Sequence, residues 1–69
     1  MKLHIRALRE KKGFTQKQLA ERLGYKSAST VSMWEYGDRI PSVLDYFRMK
    51  EIFKCSDAEL INISKEELK

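Results

Sequence analysis

The residues that could do chemistry in this sequence are a thiol, an imidazole, a pair of carboxylates and a cluster of small hydroxyls. Cys55 is the single cysteine and His4 the single histidine. Neither a disulfide nor a zinc site with several Cys or His ligands can be assembled from them, so no metal is expected. Cys55 is read as a small core residue, since a free cysteine packs as a small hydrophobe. Asp57 and Glu59 stand where a helix should start, and carboxylates are favourable there for the sake of the helix dipole. An acid/base pair would need a pocket to move their pKa values, and none is expected. No catalytic constellation remains, so the chain is not read as an enzyme and no cofactor is expected. What is left is a helical period in which Ser29, Ser32, Met33 and Tyr36 share one side while Val31, Trp34 and Glu35 share the other. Such a side offers hydrogen bonds and small apolar contacts to a partner's edges.

The elements that must hold that face can be read from punctuation and period. Ile5, Leu8 and Arg9 at i, i+3 and i+4 predict an amphipathic helix over 2–12, closed by Gly13. Thr15 with Gln18 forms the capping box of a second helix, with Phe14 placed to staple its start and Leu19, Ala20 and Leu23 as its buried stripe. Gly24 ends it. The third helix follows the polar stretch Lys26 to Ser29 and stops at Gly37. Ser42 with Asp45 three residues on predicts another N-cap, and Val43, Tyr46, Phe47, Met49, Ile52 and Phe53 give that fourth helix a broad apolar face, expected to be the largest core contributor. Ser56 with Glu59 opens a short fifth helix through Leu60 and Ile61. No segment reads as a strand, so the expected class is all-α. Residues 1–63 are read as one domain and 64–69, SKEELK, as a charged tail.

Size and charge narrow the function classes. A domain of 69 residues buries only roughly 60% of the surface its unfolded chain exposes, which leaves no room for a deep substrate cavity. The lone cysteine, with only short apolar stretches interrupted by charge, fits a reducing cytoplasm and no membrane association. The net charge of +4 leans to the N-terminal side, where Met1 to Lys12 hold five basic residues against one acidic. By itself this charge fits a nucleic acid or a merely solvated surface equally well.

Two short helices joined across Gly24 match the helix-turn-helix plan, a plan also found in proteins that never touch DNA. The residues sharpen the reading: IRALREKKGFTQKQLAERLGY, then VSMWEYGDRIPS, then a helix ending in IFKCSDAELI. In this order they closely resemble the lambda-repressor and Cro family of helix-turn-helix domains, over roughly Leu3 to Ile61. The resemblance implies a compact five-helix fold and binding to a double-stranded DNA operator. Three departures stand out. Six residues separate Gly24 from Val31, one more than the commonest family spacing. Trp34 replaces an aliphatic residue, and its inward face makes it a packing residue rather than a wedge between bases. Lys54 replaces the usual glycine, which predicts a different C-cap for helix four.

The resemblance also assigns roles. Arg9 and Glu35 stand where the family pairs helix one with the end of the recognition helix, as a structural ion pair. Gln16 stands where the family clamps the DNA backbone. Thr15 accompanies it at the helix start. Apart from the resemblance, Lys26 and Arg39 flank the recognition helix and are expected to add charge contacts to phosphates, and Tyr36 to offer its hydroxyl to one. Base contacts then fall to Ser27, Ala28, Ser29, Ser32 and Met33, whose hydroxyls suit several base edges and whose apolar members suit a thymine methyl. A homodimer on DNA is expected, with Leu60, Ile61, Ile63 and Leu68 as its seam, although Leu60 and Ile61 are equally explained as core residues. No small-molecule ligand is expected. Regulators of phage or mobile-element type fit best, by analogy. Two other classes stay open: an antitoxin or regulatory partner whose main target is another protein, and a purely structural interaction module. A protein-binding groove should be more apolar than the outward face of helix three.

Overall fold

The structure, a computed structural model, describes residues 2–62 along the backbone and 3–61 with their side chains. Five helices run in chain order among them: α1 (Ile5–Lys11), α2 (Gln16–Arg22), α3 (Ser29–Tyr36), α4 (Val43–Phe53) and α5 (Asp57–Leu60). Three of the starts are fixed by local chemistry. Thr15 and Ser56 make complete capping boxes with Gln18 and Glu59, and the Ser42 hydroxyl accepts from the Asp45 N–H at 3.1 Å.

The two ends of the described chain meet in a minimal antiparallel pairing, β1 (Lys2–Leu3) with β2 (Ile61–Asn62), in which Lys2 faces Asn62 and Leu3 faces Ile61. The His4 N–H adds a bond to the Leu60 carbonyl at 2.8 Å. This corrects two boundaries. The first helix begins at Ile5 instead of Lys2, and Ile61 belongs to β2 instead of the fifth helix, because both segments satisfy their backbone groups by pairing with each other.

Ile5, Leu8, Leu19, Ala20, Leu23, Val31, Trp34, Met49, Phe53 and Leu60 form the core, so every helix contributes at least one buried residue. Trp34 is buried and meets Tyr25 edge-on, with ring centroids 5.9 Å apart. Cys55 is half-buried against the core, and burial pushes its thiol pKa up, as suits an unreactive side chain.

Helix α4 departs from expectation. Met49 and Phe53 are fully buried and Tyr46 and Ile52 pack partly against the core, but Val43 is 74% and Phe47 54% exposed. The apolar face read from the period is wider than the core that receives it. Lys54 takes the left-handed conformation, φ 51° and ψ 50°, which is the geometry a glycine cap would adopt. The expectation of a different cap is therefore corrected: the turn into Cys55 requires the left-handed geometry whatever residue stands there, and its N–H still reaches the Lys50 carbonyl.

Candidate nucleic-acid interface

Helices α2 and α3 pack against each other, with the connector Leu23 to Ala28 between them. The Tyr25 N–H donates to the Ala20 carbonyl at 2.9 Å, which wraps the chain back over the end of α2. The Tyr25 hydroxyl then donates to Asp45 Oδ2 at 2.5 Å. Asp45 is buried, so this bond anchors the longer turn to α4. It also pushes the Tyr25 pKa up: the bond to the carboxylate is the main cause, and burial adds to it.

The inward side of α3 is held by charge. Arg9 Nε donates to Glu35 Oε2 at 2.7 Å and a terminal nitrogen donates to Oε1 at 3.3 Å, the forked geometry of an arginine and a carboxylate. A second arm of Arg9 donates to the Phe14 carbonyl at 2.8 Å. Both side chains are nearly inaccessible, at 10% for Arg9 and 5% for Glu35. Gln16 joins them, its Nε2 donating to Glu35 Oε1 at 3.0 Å. One carboxylate therefore ties α1 and α2 to the last turn of α3.

The outward side carries short polar groups. Ser29 is exposed, Ala28, Ser32 and Met33 are half-exposed, and Ser27 and Lys26 project from the turn before the helix. The Ser27 and Ser29 hydroxyls lie 2.7 Å apart, so one donates to the other and one O–H remains for a partner. Helix α3 ends on Gly37 at φ 84°, a conformation costly for other residues. The Asp38 and Arg39 N–H groups then donate back to the Met33 carbonyl at 2.9 and 3.4 Å. This return keeps Arg39 beside the end of α3, next to Tyr36, which is 80% exposed.

Thr15 uses its hydroxyl oxygen to accept from the Gln18 N–H at 3.0 Å, and its own N–H donates to Gln18 Oε1 at 2.8 Å. Its hydroxyl proton and the second amide proton of Gln16 remain available at this end of α2. Two couplings had no readable signal: Gln16 to Glu35 and Tyr25 to Asp45 join residues 19 and 20 apart. A tyrosine in the connector and an aspartate at a helix start each have a sufficient local explanation.

The family model described as helix-turn-helix matches residues 5–60. The chain belongs to this family, the lambda-repressor and Cro type of helix-turn-helix domain. No curated protein and no solved structure matches it. Membership supports a DNA-binding regulator in general terms, in a family that is typically non-enzymatic. Among the described residues no group of three His, Cys, Asp or Glu side chains could hold a metal ion, and no helix is long and apolar enough to cross a membrane.

Proposed function

We propose that this protein is a sequence-specific repressor of transcription, of phage or mobile-element type, which works in the cytoplasm as a homodimer and lays α3 in the major groove of an operator. The observation that carries the reading is the outward face of α3: short hydroxyls and a thioether, held rigidly from behind by the Arg9, Glu35 and Gln16 network. A helix read against base edges needs a fixed rotation, and this network supplies it. A surface built mainly to bind a protein would be more apolar here, which favours DNA over an antitoxin-like role.

In this reading Thr15 and Gln16 donate to a phosphate at the start of α2 while Lys26, Tyr36 and Arg39 meet phosphates around α3. Ser27, Ala28, Ser29, Ser32 and Met33 face the bases. None is a long bidentate side chain, so discrimination is modest at each position and accumulates over two half-sites about one helical turn, ~34 Å, apart.

Selection of duplexes from a random pool, followed by quantitative binding, tests it. Arg39→Ala should weaken all duplexes about equally and lower the slope of log affinity against log salt by about one. Ser29→Ala and Met33→Ala should instead change the preferred base at one position per half-site. If Arg39→Ala shifts base preference and the α3 variants leave it intact, the division of roles is wrong. If no duplex is enriched, the DNA reading itself fails.

A further inference from the structure

The DNA reading leaves one extended apolar surface unused. Ile40, Val43, Leu44 and Phe47 are exposed by 73, 74, 59 and 54%, on one continuous stretch from the loop after α3 into α4. Beside them Leu3 and Ile61 complete an open groove of about 370 Å³ whose lining, Pro41 and Tyr46 included, contains no charged residue. Exposed apolar patches of this kind mark interaction surfaces, and scattered single residues do not.

We propose that this groove is the seam of the homodimer, its occupant the same groove of a second copy. This rests on the reading of α3 as the DNA-contacting helix. Two observations choose the occupant. First, Ile40 borders both this groove and the crevice formed with Tyr36 and Arg39, so the apolar surface begins where the proposed DNA surface ends. Ser29, Ser32 and Met33 do not line the groove, so pairing across it leaves the outward face of α3 free for a duplex in each copy. An apolar surface without charge is complementary to itself, as a two-fold contact requires. Second, four large side chains offer only a few hundred Å² per copy, well short of the roughly 800 Å² per partner of a stable complex. The free protein is therefore mainly monomeric, and pairing is completed when adjacent half-sites hold two copies together. Residues 63–69 are a poor alternative cover, since four of the seven are charged. The seam expected from the sequence is corrected in part: Leu60 is fully buried in the core and cannot meet another molecule, Ile61 lines the groove edge, and Ile63 and Leu68 lie outside the described residues.

The test uses the full chain. Sedimentation equilibrium up to millimolar concentration should show weak self-association, which Phe47→Glu weakens about tenfold or more without changing the circular dichroism spectrum. Val43→Cys should give a disulfide-linked dimer absent from the parent protein, whose Cys55 is half-buried. On a selected duplex with two half-sites, Phe47→Glu should abolish cooperativity and leave affinity for a single half-site unchanged. A wild type that stays monomeric, binds the two half-sites independently and does not cross-link through Val43→Cys overturns the proposal. So does a Phe47→Glu variant that loses single-half-site affinity, because the surface would then belong to the DNA site. Self-association that appears only when residues 63–69 are deleted would make the tail the occupant, and this also overturns it. Self-association through Phe47 in a protein that enriches no duplex would uphold the seam and refute the DNA reading.

Discussion

The two carboxylates that this small domain buries are treated differently. Glu35, near the end of α3, faces the forked guanidinium of Arg9 and the amide of Gln16. Asp45, in the first turn of α4, accepts a hydrogen bond from the neutral phenol of Tyr25. Glu35 thus belongs to a charged strut that fixes the helix proposed to read DNA. Asp45 belongs to a brace whose donor is a neutral phenol and which fixes the turn leading into it. The difference lies in what remains when a partner is removed: a stranded cation in one place, a carboxylate lacking one hydrogen bond in the other.

The largest effect is expected from Glu35→Gln, which keeps the shape and removes the charge opposite Arg9. Breaking a buried pair in this way costs about 3 to 5 kcal/mol. A domain of this size holds in total roughly 3 to 5 kcal/mol, so the variant should be mainly unfolded near body temperature. A thermal melt followed by circular dichroism decides it: a midpoint within a few degrees of wild type would mean the strut contributes little.

Tyr25→Phe should cost less, about 1 to 3 kcal/mol, the price of leaving a buried acceptor unpaired. The same brace should weaken in alkali. Folding raises the Tyr25 pKa, chiefly through its bond to Asp45, and raises that of Tyr46 to about 12, through burial first and then its bond to Asp57. For a group whose folded pKa is raised, the stabilisation is complete below the unfolded value near 10 and is lost as pH rises through the folded value. Denaturant titrations should therefore show stability falling above about pH 10, and Tyr25→Phe should fall less steeply than wild type. An equal fall in both would place the alkaline sensitivity elsewhere.

The smallest effect tests a site remote from both carboxylates. Lys54 occupies a left-handed position that costs a side-chain-bearing residue about 1 kcal/mol relative to glycine. Lys54→Gly should raise stability by up to that amount, read from the denaturant midpoint, and leave DNA selection unchanged. A loss of stability would mean that the lysine side chain contributes more than its backbone costs.

Sequence alone was a good guide wherever one residue and its neighbour three positions on decide the outcome. Thr15 with Gln18, Ser42 with Asp45 and Ser56 with Glu59 are such pairs, since each cap satisfies backbone groups of its own first turn. Gly37 was legible for a similar local reason. The Arg9 and Glu35 placement was available only through family resemblance, because nothing local pairs residues 26 apart. The outward exposure of Val43 and Phe47 was not legible at all. A 3.6-residue period shows that a face is apolar, but whether another element covers it depends on the whole packing. The pairing of Leu3 with Ile61 was hidden for the opposite reason: two residues are too few to display an alternating pattern.

That pairing also bears on how the chain folds. Lys2 and Asn62 close nearly the full length of the described chain, whereas most of the helical hydrogen bonds close within four residues. Closing so long a loop is entropically unfavourable until the helices have already brought its ends together, so the clasp is expected to form after the rate-limiting step. Weakening it, for instance with Leu3→Ala, should speed unfolding and leave the refolding rate almost unchanged, a φ-value near zero in stopped-flow measurements. Lifetime in the native state would then depend on two residues at each end, although the speed of reaching that state would not.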